Sequence, residues 1–287
     1  MEKFFPVDQR HIIFTLPGPL WDFVLSRGKT FINDMFDAVV AVITKIYKHK
    51  FKRLSVRPGI IMIIHYTGRD MKSNPHIHVI ATEGGLTKEG KWKPNTYWPY
   101  NKMNQYWKYE VLTRFRSHHG LTLEEKSIID DQWKQRFKDG TNGYVVKNYR
   151  DILDVKEFGS YLARYIRHPP IGESRLLGFD GQDVRIKYEW DNKLFITEVS
   201  IERFIEAILV NISPKGFQEV RYCGLYTNLF YKKAIKVLIG VSIRITSLDE
   251  YCDEEIKKGI HCIKCKVVME LMVLTYLQNG KMVRIIF

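Results

Sequence analysis

At 287 residues, with 45% hydrophobic and 13% aromatic content, the chain can bury a sizeable core, which excludes a disordered polymer. Its 45 Lys and Arg against 32 Asp and Glu give a formal charge of +13, which favours polyanionic partners, nucleic acid first among them. No apolar run approaches the roughly 20 residues that span a bilayer, the opening residues lack a signal-peptide core, and four cysteines in so long a chain make no disulfide framework.

In chain order, His11-Ile12-Ile13-Phe14-Thr15-Leu16 reads as a β-strand stopped by Pro17. Phe31, Met35, Val39, Ile43 and Tyr47 recur at i, i+4 spacing and predict an amphipathic helix whose stripe is core. An apolar run from Gly59 to Ile64 ends at His65, and turn-like sequence follows to Pro75. A second run, Pro75 to Ala81, alternates like a strand and carries His76 and His78. Side chains at i and i+2 of a strand share a face, so these two imidazoles can serve one metal ion. A hairpin would set His65 beside them. Three protein ligands leave an open coordination position, as catalytic metals require and structural ones do not. Taken alone, a His-x-His pair is more often two satisfied core or surface histidines. Glu83-Gly84-Gly85 is expected to end the hairpin.

Residues 101–115 and 122–137 have helical patterns with interleaved charges and aromatics: Tyr106, Trp107, Tyr109, Arg114, Phe115 and Arg116, then Trp133, Arg136 and Phe137. Such faces suit base stacking beside neutralised phosphates, and equally two amphipathic helices with solvated outer sides. A short strand at 143–147 follows, then a helix over 158–167 that His168-Pro169-Pro170 stops. Strands are predicted at 175–179, 183–190 and 194–199, a helix at 201–212 and a strand at 217–222. Beyond about Lys236 the pattern is a β-rich tail. It holds Cys262-Ile263-Lys264-Cys265, which is half a structural zinc site that Cys252 and His261 would complete, or a remnant of one. The mixed order predicts an α+β fold on an antiparallel sheet. Two units are expected: residues 1–235, with a helical insertion at about 101–138, and a small tail at 236–287.

Tyr161 and Tyr165 lie at i and i+4, on one face of the helix that the prolines terminate, with Arg164, Arg167 and His168 around them. A tyrosine hydroxyl, with a pKa of about 10, is a weak nucleophile. Neighbouring cations and a metal-polarised phosphate would make it competent. By themselves, tyrosines at this spacing are usually core packing.

With these blocks assembled, the chain resembles the HUH endonuclease-transposases of the two-tyrosine type, encoded by rolling-circle insertion sequences of bacteria and archaea and distantly related to Helitron Rep domains. The blocks run from the His11 strand to Pro17, through His65 and Pro75-His76-Ile77-His78-Val79 to Gly85, then Tyr161 to Ile171 and Glu173-Ser174-Arg175. Pro214-Lys215-Gly216-Phe217 and Arg221-Tyr222-Cys223-Gly224-Leu225 close the series, so the resemblance covers roughly residues 10–228. It implies the HUH endonuclease fold, a ferredoxin-like antiparallel sheet flanked by helices. It also implies Mg²⁺ or Mn²⁺ on His76 and His78, with His65 in the place of a third ligand. Tyr161 and Tyr165 would be the nucleophiles, Tyr161 acting first, forming a 5′-phosphotyrosine and releasing a 3′-hydroxyl.

The partner implied is single-stranded DNA, the ends of the protein's own element and its target, in the cytoplasm or nucleoid. Arg164 and Arg167 would flank the cut, and Arg175, Arg185 and Lys187 on the following strands would line the DNA channel. Many members of the family begin with a cysteine-rich zinc segment, whereas this sequence starts almost directly at the first strand. The competing readings are a plasmid or phage replication initiator or relaxase using the same chemistry, a DNA-binding relative without catalysis, and a metal-dependent hydrolase that makes no covalent adduct.

Overall fold

Strand β1 (Gln9–Thr15) already divides the molecule, because its alternate side chains go to two different environments. Ile12 and Phe14 enter the main core, whereas His11 and Thr15 point to the opposite side of the sheet. The computed structural model describes residues 5–52, 54–135, 143–152, 171–190, 193–212, 215–239, 273–278 and 281–286. After β1 come α1 (Trp21–Arg27), α2 (Lys29–Phe51) and a hairpin of β2 (Arg57–Thr67) and β3 (Ser73–Leu86). Then follow β4 (Trp92–Pro94), α3 (Tyr100–Ser117), α4 (Leu123–Lys134) and β5 (Val146–Ile152). The second half holds β6 (Leu176–Phe179), β7 (Asp183–Trp190), β8 (Lys193–Ser200), α5 (Ile201–Val210) and β9 (Val220–Gly224). Residues 228–239 are helical (α6), and β10 (Val273–Gln278) pairs with β11 (Lys281–Ile286).

The large sheet has the order β5-β1-β3-β2-β9, with β4 paired to the end of β3, and every pairing is antiparallel. Strand β3 lies between β1 and β2, with α2 crossing from one to the other and α3 leading on to β5. This is the split βαβ arrangement of ferredoxin-like folds, and it agrees with the antiparallel α+β architecture expected from sequence. Helices α1 to α4 lie on one face.

Helix α2 forms there because its buried positions, Phe31, Ile32, Met35, Phe36, Val39, Val42, Ile43 and Ile46, wind along one stripe, while Lys48, His49 and Lys50 complement its C-terminal dipole. Burying each such side chain fully contributes about 1.5–3 kcal/mol. Helix α3 adds Met103, Trp107, Val111, Leu112 and Phe115, and the Trp107 indole donates to the Thr15 carbonyl at 2.7 Å. Trp107 and Phe115 are therefore core residues and not stacking platforms. Tyr109 remains exposed, and the Arg116 guanidinium lies 4.8 Å over the Trp133 ring. A Thr122–Glu125 capping box starts α4, and Arg27 of α1 pairs with the same Glu125.

The opposite face carries a smaller core among the described residues. Ile61, Ile63 and Ile80 pack there against Phe5, Val7, Leu225, Tyr226, and Ala234 and Leu238 of α6. The expected domain limit at 235 falls within that helix. Strand β3 does not stop at Glu83-Gly84-Gly85 but continues to Leu86, paired with Arg57 and with β4. The glycines permit close approach instead of breaking the strand. A Cβ on Gly85 would lie 2.4 Å from the Arg57 carbonyl oxygen.

A second sheet, β6-β7-β8, packs Val184 and Ile186 against Ala207 of α5 and against Met71, which comes from the β2–β3 turn. Met71 takes up a positive φ of 64° there and is buried. Tyr161, Tyr165, Arg164, Arg167, Cys262 and Cys265 lie outside the described residues.

Candidate metal centre

The histidines also lie on this second face of the sheet. In the β2–β3 ladder His65 stands opposite His76, and Ile63 stands opposite His78. The alternation that sends Ile77 and Val79 into the main core therefore delivers His76 and His78 to the other side, next to His65. One potential ligand atom from each of the three lies within 4.8 Å of the others. His76 Nε2 and His78 Nε2 are 3.1 Å apart, and the His65 and His78 rings have centroids 4.4 Å apart.

Hydrogen bonds orient these rings from behind. His76 Nδ1 lies 2.6 Å from the Asn74 carbonyl oxygen. A carbonyl only accepts, so Nδ1 carries the proton and the Nε2 lone pair is free for a cation. His78 Nδ1 lies 2.8 Å from Nε2 of His11, which β1 brings alongside and which is wholly buried. Burial is the first cause that lowers the His76 pKa to about 4, with repulsion from His65 next and the Asn74 carbonyl opposing. The same burial, with His65 and His76, lowers His11 to about 3. His78 is held well below its ordinary value by burial first, then by His65, His76, His11 and the Arg69 charge. His11, His76 and His78 are uncharged at neutral pH, the form in which imidazole binds a metal. The donor set suits a divalent ion that accepts nitrogen ligands.

Arg69 and His11 were not singled out by the sequence patterns. Arg69 is exposed on the β2–β3 turn, and its guanidinium donates to the Glu189 carbonyl at 2.9 Å. Its charge is one of the influences that disfavour protonated His78, the smallest after burial and the neighbouring histidines. The sequence places it in the turn between His65 and Pro75, but a lone basic residue in a polar turn carries no signal that its charge reaches the histidines. His11 carried one readable sign. It alternates with Ile12 and Phe14 and so lies off the core stripe.

Arg175 is half-buried, donating to the Lys187 carbonyl at 3.0 Å and to the Arg69 carbonyl. It ties the small sheet to the histidine hairpin. Arg185 is exposed and paired with Glu198, and Lys187 lies two residues on, on the same face of β7. The structure thus brings His65, His76 and His78 together, with Arg69 on the turn that joins their strands, and sets Arg185 and Lys187 on one face of the second sheet. Among the described residues no helix is long and apolar enough to cross a membrane.

Residues 59–233 match the Y2_Tnp family model, whose description is "Putative transposase". The chain is 25% identical over 229 residues to the transposase for insertion sequence element IS801 of Pseudomonas savastanoi pv. phaseolicola, covering 76% of this chain and 54% of that protein. It is 23% identical over 258 residues to "Putative transposase y4qJ" of Sinorhizobium fredii (strain NBRC 101917 / NGR234), covering 81% of this chain and 63% of that protein. The chain thus spans between about half and two-thirds of the length of these relatives. Among solved structures, the conjugative relaxase TrwC in complex with oriT DNA aligns over 81% of this chain and 70% of its own, at 12% identity. TrwC with a 27-mer DNA comprising its recognition hairpin and cleavage site covers 81% and 73%, at 10% identity. The TM-scores are 0.28 and 0.27, too low for either likeness to carry weight.

Proposed function

The chain belongs to the Y2_Tnp transposase family, and from that premise we propose that it nicks and transfers single-stranded DNA through a tyrosine-linked intermediate, as in rolling-circle transposition. The observation that carries this reading is the convergence of His65, His76 and His78 from two adjacent strands onto one face of the sheet. These residues would hold a divalent cation, Mn²⁺ being better matched to imidazole than Mg²⁺. When bound, that ion supplies Lewis acidity toward a scissile phosphate.

The chain's own groups do the rest. His76, its tautomer set by the Asn74 carbonyl, presents Nε2 without a proton to displace. Arg69 on the β2–β3 turn, whose charge reaches His78, would offset phosphate charge. Tyr161 or Tyr165 attacks phosphorus. The bond from its Oη to phosphorus forms as the P–O3′ bond breaks, leaving a 5′-phosphotyrosine and a 3′-hydroxyl. One phosphoester replaces another, so rejoining needs no ATP. The second tyrosine allows cleavage and transfer to alternate between two strand ends. Arg164 and Arg167 neutralise phosphate around the cut, and Arg185 and Lys187 track the strand further out.

The test incubates the protein with Mn²⁺ and labelled single-stranded DNA from the ends of its own element, with denaturing gels read for a covalent adduct. The expected adduct requires metal, survives one Tyr→Phe change at 161 or 165 at most in part, and vanishes in the double variant. Tight DNA binding with no adduct would leave a binding protein. Metal-dependent cleavage with no adduct would leave a hydrolase.

A further inference from the structure

We propose that His11 is a positioning residue for the metal centre, accepting a hydrogen bond from His78 and so setting which nitrogen His78 offers to the cation. Each nitrogen of the His78 ring faces a different partner. Nε2 faces His76 Nε2 at 3.1 Å, and Nδ1 faces His11 Nε2 at 2.8 Å. His76 already presents an unprotonated Nε2, because the Asn74 carbonyl takes its Nδ1 proton. For His78 to direct its own Nε2 lone pair at the same point, its single proton must sit on Nδ1. That proton then needs an acceptor, and His11 Nε2 is placed to be one.

The position of His11 is over-determined. It pairs with Ile80 in the β1–β3 register, and its ring lies 5.0 Å from that of His78, centroid to centroid. It is wholly buried, so the contact is not shared with bulk water. Metal-bound imidazoles are held in this way by an acceptor behind the ring, and losing such a partner weakens metal binding by about 10–100-fold. For His76 the acceptor is local, two residues back on its own strand. For His78 it comes from 67 residues away, which makes β1 part of the centre.

The role of His11 rests on reading the three histidines as a cation site, and the two claims fail differently. Titration of the full chain with Mn²⁺ by calorimetry compares wild type, His11→Leu and His11→Gln. Leucine keeps the bulk but removes the acceptor, whereas the glutamine amide oxygen retains one. His11→Leu is expected to raise the Mn²⁺ Kd about 10–100-fold and His11→Gln to restore most of the affinity. In ¹⁵N-histidine-labelled wild type loaded with Zn²⁺ as a diamagnetic probe, the His78 proton is expected on Nδ1.

Wild-type affinity in His11→Leu, equal loss in both variants, or a His78 proton on Nε2 would overturn the role of His11 and leave the cation site intact. Failure of wild type to bind Mn²⁺ would remove the site itself. If His11→Leu does not fold, the tautomer measurement on wild type decides alone.

Discussion

His65 sits directly across the β2–β3 ladder from His76, the two rings edge-on with centroids 5.4 Å apart. The pair is held by the backbone register, so neither imidazole depends on a flexible loop for its place. Replacing His65, His76 or His78 by alanine should therefore leave the far-UV circular dichroism intact. Mn²⁺ affinity should fall by at least about 100-fold, more than for loss of an outer partner. Calorimetry and the adduct assay check both. Full Mn²⁺ binding by any of the three variants would remove that residue from the centre.

Acid should unfold the metal-free protein through these histidines. Unfolded, each imidazole titrates near its ordinary 6.5, whereas folded His76 titrates at about 4 and His11 at about 3. Between those values the unfolded chain binds more protons than the folded one. The stability is fully present above about pH 6.5 and declines as the pH falls towards 4, where His76 protonates in the folded state as well. Thermal melts in EDTA from pH 7.5 to 4 should show the midpoint falling over that window. A flat profile would contradict the burial of these rings.

Gly224, at the end of β9, has a φ of +62°, and a Cβ there would lie 1.9 Å from the Pro58 carbonyl oxygen. Both the left-handed backbone and the contact exclude a side chain. Gly224→Ala should cost about 3 kcal/mol or more in urea unfolding, because β2 itself would have to move. Gly178→Ala is the control, with nothing within 4 Å of the added methyl, and should change stability by less than about 0.5 kcal/mol.

Removing the positive charges of β7 should weaken DNA binding without touching the cleavage chemistry. Arg185→Ala and Lys187→Ala should each lower the slope of log affinity against log salt by about 1, measured by anisotropy on an unstructured oligonucleotide. Arg69→Gln should instead depress adduct formation more than binding, since its charge acts on His78. An unchanged salt slope in the β7 variants would place the DNA elsewhere.

Much of this arrangement was legible from periodicity. The two-residue alternation of β3 revealed which face His76 and His78 share, and the i, i+4 stripe of α2 announced its buried side. Short elements escaped: α1 and the three residues of β4 are too brief to show a period. Gly84-Gly85 read as a stop although the strand runs through it, because a glycine that breaks a strand and one that admits a neighbouring backbone look alike in sequence. Trp107 and Phe115 fit stacking and core packing equally in sequence, because composition does not say which side of a helix faces the core. In sequence His11 is only one residue of a strand. Its contact with His78 depends on β1–β3 pairing, which is a non-local property of the chain.

The double use of β3 also restricts how this protein can change over time. His76, His78 and Ile80 alternate with Ile77, Val79 and Ala81, so the cation site and the main core are read from one strand on opposite sides. A deletion or insertion of one residue inside that stretch would turn imidazoles into the core and aliphatics towards the substrate at the same time. Neither property can drift by sliding while the other is kept. Length variation is therefore barred from the strand itself. Descendants of this sequence can lose activity by substitution at a histidine, but a frame-preserving indel in β3 would cost them the fold as well.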